Sequence, residues 1–133
     1  MLGDYHLRIK PMVNQIQFHV GMGPDPQGLV SYCKSNGILV QAYSPLGSDG
    51  HITDHQNVRR IAHRMKKSPA AVALRWIVQQ DHAVIVKTEN RLHMAQDLDI
   101  FSWKLSDADM TSLSHVDKKH SLFWSEPSIS CSG

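Results

Sequence analysis

The sequence predicts an α/β fold built on parallel strands, and three observations carry that reading. Short β-forming runs alternate with helical patterns, Gly and Pro punctuate the joints, and the last β-run is apolar without interruption. The chain has 133 residues, 41% hydrophobic and 20% charged, which is ordinary globular usage for one domain.

The first strand is expected over Val13-Asn14-Gln15-Ile16-Gln17-Phe18-His19, between Pro11 and Gly21. Asp25-Pro26 reads as an N-cap followed by proline in the first turn of a helix. That helix runs through Leu29, Val30 and Cys33, and Gly37 supplies its left-handed end. Ile38 to Tyr43 is the second strand, broken by Ser44-Pro45. Val58, Ile61, Ala62 and Met65 are spaced for one helical face. Ser68-Pro69 opens a further helix, apolar nearly all round through Val72, Leu74, Trp76 and Ile77. Ala83-Val84-Ile85-Val86 is the third strand, whose apolar run suits a parallel strand covered on both faces. A helix follows from about Arg91 to Leu98. Ser106-Asp107-Ala108-Asp109 has the form of a capping box and opens the last helix. The tail, residues 118–133, lacks periodicity and is expected to be irregular. This order implies right-handed crossovers. An open doubly wound sheet and a β/α barrel both satisfy it.

Composition removes several functions. Fourteen basic and twelve acidic residues leave a net charge of +2 without a basic stripe, so nucleic acid is not an expected partner. No apolar run reaches the ~18 residues of a membrane span, and Met1 to Lys10 lack the apolar stretch of a signal peptide. Cys33 and Cys131 form no disulfide framework, so a reducing, cytoplasmic setting is expected. Cys33 falls on an apolar helical face and reads as structural. His51 and His55 stand at i, i+4 but lack the glutamate and third ligand of a zinc motif, so no metal is expected. Gly21-Met22-Gly23 is no dinucleotide fingerprint, because Pro26 occupies the place of its third glycine.

Ligands in β/α proteins gather at the carboxyl ends of strands. There, Lys87-Thr88 precedes a helix start. The pair is either a phosphate cradle or an exposed lysine beside a capping threonine. Tyr43 at the mouth of the second strand either stacks on a flat ring or packs the rim. Asn14 and Gln15 are amides in a strand expected to be buried, so they are satisfied internally or aimed at a ligand.

Val13-Asn14-Gln15-Ile16, Tyr32-Cys33-Lys34-Ser35-Asn36-Gly37-Ile38 and Ala42-Tyr43-Ser44-Pro45-Leu46-Gly47 together closely resemble the aldo-keto reductases. Leu98-Asp99-Ile100-Phe101 and Leu105-Ser106-Asp107-Ala108-Asp109-Met110 are similar to the same family's C-terminal helical region. The resemblance runs from about Lys10 to about Leu113. It implies a partial (β/α)8 TIM barrel, three parallel strands with flanking helices, corresponding to strands six to eight. Residues 1–133 would then be a single incomplete domain. Such barrels take about 250 residues.

The resemblance further implies NADP(H) as cofactor and small aldehydes or ketones, reduced by hydride transfer, as substrates. Gln15 matches the amide that holds the nicotinamide carboxamide, and Tyr43 the aromatic residue that stacks on the nicotinamide ring. Ser44, Leu46 and Ser48 match the loop along the pyrophosphate. Lys87 and Thr88 match the pair that grips the adenosine 2′-phosphate. His93 stands where the family has an arginine at that phosphate, and Asp97 replaces an asparagine near adenine. Histidine lacks the planar fork that clamps phosphate in two places, which weakens the preference for NADP over NAD. The family's catalytic Asp, Tyr, Lys and His lie in the first half of the barrel, and no residue here matches their motifs. Alone, the chain is therefore expected to be inactive, with non-catalytic pairing through exposed barrel edges as the alternative.

Overall fold

The computed structural model describes residues 9–47, 50–87 and 91–116, with only the helical backbone at Gln96 and Asp97. Its sheet contains β1 (Val13–Gln17), β2 (Leu39–Tyr43) and β3 (Ala83–Val84), in the spatial order β1-β2-β3. Both pairings are parallel, with Val13 opposite Leu39, Gln17 opposite Tyr43, and Gln41 opposite Ala83. Helices α1 (Leu29–Ser35), α2 (Gln56–Met65), α3 (Pro69–Val78), α4 (Arg91–Leu98) and α5 (Asp107–Ser114) fill the connections.

The expected helix starts are built from the expected atoms. The Ser68 hydroxyl accepts from Ala71 N–H at 3.0 Å ahead of Pro69, and Ser106 and Asp109 close a reciprocal capping box on α5. Gly37 takes φ +66° after α1. The start of α1 differs from expectation. Pro26–Gly28 forms a separate 3₁₀ turn, and Gln27 and Gly28 are both left-handed. Asp25 therefore reaches past the turn. Its Oδ1 accepts from Val30 N–H at 2.8 Å and Ser31 N–H at 3.1 Å, and the Ser31 hydroxyl donates to Oδ2. These hydrogen bonds hold the Asp25 carboxyl below its ordinary pKa.

β1 stops two residues early because the chain turns after Phe18, where Met22 N–H bonds the His19 carbonyl and Gly21 takes φ +97°. Alternation then sorts the side chains of the sheet. Ile16, Val40 and Ala42 face the helices and are buried with Phe18 and Val20. Val13, Leu39, Tyr43 and Ile85 remain 41–47% exposed. β3 is parallel as expected but open on one face, which corrects the expectation of cover on both. Among the described residues helices pack on the Ile16 side alone, so the apolar run of β3 does not report two-sided burial.

All residues from Ala71 to Ile77 in α3 are buried, as its apolar sequence requires. The core centres on this helix. Trp76 stacks on Phe18 with ring centroids 5.2 Å apart, and His82 meets the edge of the same ring at 5.3 Å. Arg75, though charged, is buried and donates from Nη1 to the Ile100 carbonyl and from Nε to Gln79. Gln79 in turn pairs with both backbone groups of Leu105 at 2.9 Å. The segment between α4 and α5 is thereby pinned to α3. Cys33 is buried in the core and accepts a weak bond from the Asn14 amide, in keeping with a structural role. Cys131 and the tail, residues 118–133, lie outside the described residues.

Candidate functional site

The chain leaves β2 through a turn that only certain residues allow. Ser44 is left-handed at φ +48°, Pro45 is buried, and Gly47 N–H closes on the Ser44 carbonyl at 2.9 Å. Gly47 sits at φ +80° directly against the His51 ring. A Cβ there would lie 2.6 Å from His51 Cε1, so the position demands glycine for both space and conformation. This fold-back brings a 3₁₀ turn, His51–Asp54, over the strand end and leads into α2.

Leu46 projects from the turn and packs against both apolar clusters of the core. It also lines a cleft of about 360 Å³ whose other walls are Val86, Lys87, His93, Asp54, Arg59 and the first turn of α3. Three of the residues singled out in the sequence, Leu46, Lys87 and His93, therefore converge although they belong to three segments. Lys87 and His93 are both exposed at its mouth.

Gln15 and Tyr43 lie outside the cleft, together on the open face of the sheet. Gln15 Nε2 donates to Gln41 Oε1 at 3.3 Å, and Tyr43 follows on the same face two residues beyond Gln41. The expectation that Gln15 is a buried amide is corrected, since no helix among the described residues covers that face and the residue is exposed. Ser44 is half-buried in the turn between the two sets. Ser48 and Thr88 lie outside the described residues, as does the side chain of Asp97, one helical turn beyond His93.

This arrangement suits an elongated anionic ligand with a flat ring. Positive charge gathers at the cleft, an apolar wall runs through Leu46 and Val86, and an aromatic side chain stands uncovered at the strand mouth. Sequence reasoning missed Asp54 and Arg59 as cleft residues, because an exposed ion pair at a helix start carries no local signal of what it faces.

A second cavity, about 700 Å³, is larger and is lined by His19, His51, His55 and His115 together with Asn57 and Val116. None of the residues singled out as ligand-binding lies in it. The cleft suits an anionic ligand better, because Lys87 and Arg59 both line it. His19 and His51 meet edge to face at 5.9 Å, and His55 caps α2 by accepting from Asn57 N–H. Burial, opposed by a hydrogen bond to the Val20 carbonyl, holds His19 below the ordinary imidazole pKa. Among the described residues, no group of three or more His, Cys, Asp or Glu is placed to hold a metal ion.

Residues 1–118 match the Aldo/keto reductase family. A glyoxal reductase of Bacillus subtilis is 37% identical over 83% of this chain and 39% of its own length. The structure of MGS-M4, an aldo-keto reductase enzyme from a deep-sea metagenome library, superimposes with a TM-score of 0.79 at 29% identity, over 88% of this chain and 42% of that one. A Gox0644 variant in complex with NADPH superimposes with a TM-score of 0.76, also at 29% identity, over 84% and 40%. The chain spans about two fifths of the proteins it resembles. Its three parallel strands and their helices are part of a TIM barrel, and the chain belongs to the aldo-keto reductase family.

Proposed function

We propose that this chain is the C-terminal, cofactor-binding part of an NADP(H)-dependent aldo-keto reductase, folded as one incomplete domain over residues 1–133. The observation that carries the reading is the convergence of Leu46, Lys87 and His93 on one cleft, with Leu46 three residues on in the chain from the exposed Tyr43. Tyr43 would stack on the nicotinamide, which supplies hydride when bound, and Gln15 would orient its carboxamide from the same sheet face. Ser44, Leu46 and Ser48 would follow the pyrophosphate. Lys87 and Thr88 would hold the adenosine 2′-phosphate, with His93 and Asp97 beside the adenine. The relative in complex with NADPH and the related glyoxal reductase support this cofactor and a small carbonyl substrate.

Carbonyl reduction also requires a proton donor within hydrogen-bond reach of the substrate oxygen. We read no residue of this chain as that donor. The parent reaction would then need the β/α units that carry the catalytic Asp, Tyr, Lys and His. Titration of the chain with NADPH, followed by cofactor fluorescence, tests the binding. We expect saturable binding but no NADPH consumption with a panel of aldehydes. Absence of binding at millimolar cofactor overturns the reading, and robust turnover overturns the assignment of inactivity.

A second reading, a non-catalytic module that pairs with a full-length relative, is favoured by one observation. Among the described residues β1 and β3 are open edges, and Val13, Leu39 and Ile85 are exposed apolar side chains on the uncovered sheet face. Size-exclusion mass with and without a protein carrying the complementary β/α units separates the two. Among the described residues no helix is long and apolar enough to cross a membrane, and a cytoplasmic setting fits this cofactor.

A further inference from the structure

The cleft contains a cation that the family resemblance does not assign. Arg59, the fourth residue of α2, lines it together with Lys87 and His93. Its guanidinium is paired with Asp54 from the preceding turn, and both side chains are well exposed, at 63% and 70%. An exposed pair of this kind holds little energy and opens readily to a stronger partner.

Charge balance gives Arg59 its weight. Among the described residues, the titratable side chains lining the cleft besides His93 are Lys87, Arg59 and Asp54. Of these three, Lys87 and Asp54 cancel without Arg59, and with it the described lining is cationic. It also gains the planar fork that meets a phosphate in two places, which neither a lysine nor a histidine provides.

We propose that Arg59 determines the preference of this chain for the 2′-phosphorylated cofactor, leaving Asp54 to take the phosphate from the α2 side of the cleft while Lys87 takes it from the β3 side. The inference rests on the cofactor reading above and deepens it. Asp54 then acts as a counterweight that holds the guanidinium in place in the free chain and opposes the phosphate in the bound one.

The test measures dissociation constants of the 133-residue chain for NADPH, NADH and adenosine 2′,5′-bisphosphate by calorimetry. R59Q is expected to weaken NADPH and the bisphosphate by on the order of tenfold while changing NADH less than about twofold. R59K, which keeps the charge without the fork, is expected to fall between. D54N is expected to tighten the two phosphate ligands by about two- to threefold, because it removes the competing carboxylate. Thermal unfolding of each variant checks that the fold is kept. An R59Q chain that retains the wild-type ratio of NADPH to NADH affinity overturns the inference and leaves the cofactor reading standing. Should R59Q unfold early, an unchanged ratio in D54N overturns it equally. A wild-type chain that binds neither nucleotide overturns the cofactor reading and Arg59's role with it.

Discussion

The two faces of the sheet both carry apolar side chains, and these have opposite fates. On one, Ile16, Val40 and Ala42 lie under α-helices and join the Phe18–Trp76 stack. On the other, Val13, Leu39, Tyr43 and Ile85 stay uncovered beside Gln15, Gln17 and Gln41. The covered face holds the fold together by burying apolar area against residues of α1, α2, α3 and α5. The open face contributes little to stability and presents the groups assigned to the nicotinamide. Separating the two allows the sites of binding to vary without unfolding the chain, and the separation can be tested directly.

The largest effect is expected at the centre of the covered face. Trp76 is fully buried, stacks on Phe18, and donates from Nε1 to the Ser114 hydroxyl of α5. Trp76→Ala removes the stack and leaves a cavity, and denaturant unfolding should show a loss of about 3–5 kcal/mol. A loss below about 1 kcal/mol would mean that this face is not the core.

Next comes the junction of α2 with α5. Asp109 is buried, and burial raises its carboxyl pKa, but hydrogen bonds from Arg64 and Ser106 outweigh that and hold it below the ordinary value. The folded state thus prefers the ionised form. Its contribution is complete above pH ~3.9 and is lost as pH falls through the lowered folded value. Asp109→Asn breaks the capping box and the ion pair together, and should cost about 1–3 kcal/mol at pH 7. The difference from wild type should shrink below pH 4, as measured by chemical unfolding across pH.

Much of this was readable before the structure. Ser68-Pro69, the Ser106–Asp109 box and Gly37 each act through neighbours within four residues, so local chemistry determines them. The same holds for the Ser44–Gly47 turn at the end of β2, whereas β3 stops at Val84, short of the expected Val86 and of Lys87. What escaped depends on distant contacts. Gln27 and Gly28 turn left-handed so that Asp25 can cap Val30 and Ser31, and nothing adjacent announces that break. Ile85 is as apolar as its neighbours, yet its exposure depends on which side the helices take. Arg59 enters the cleft only because the 51–54 turn folds back over β2. The convergence of His93 with Lys87 likewise belongs to the tertiary structure.

A smaller effect links the covered face to pH. His82 packs against Phe18 with the two rings nearly perpendicular, and its Nε2 is buried without a hydrogen-bond partner among the described residues. Burial lowers its pKa from the ordinary 6.5, opposed by a backbone hydrogen bond at Asp81 and that carboxylate's charge and assisted by Lys34. His19 is lowered as well. The unfolded chain therefore binds these protons more readily, so stability is complete above pH ~6.5 and declines as pH falls below it toward the lowered folded values. His82→Phe should make thermal stability less sensitive to pH between about 6.5 and 5. An unchanged pH dependence in that variant would remove His82 as a contributor.

The smallest effect is expected at Leu39, and it is the most discriminating when set against its strand neighbour Val40. Val40 is buried against the helices, and Val40→Thr places a hydroxyl among apolar groups, at a cost of about 1–3 kcal/mol. Leu39 is 45% exposed on the open face, and Leu39→Thr should change the unfolding free energy by no more than about 0.5 kcal/mol. Threonine suits a strand in both places, so the contrast between a buried and an exposed position dominates the difference between the two variants. Equal losses would mean that the open face is covered in solution. A second copy of the chain is then the simplest cover, and its signature is a loss at Leu39→Thr that grows with protein concentration. A difference that persists at every concentration leaves the face bare, free for the nicotinamide ring or for further strands of the barrel.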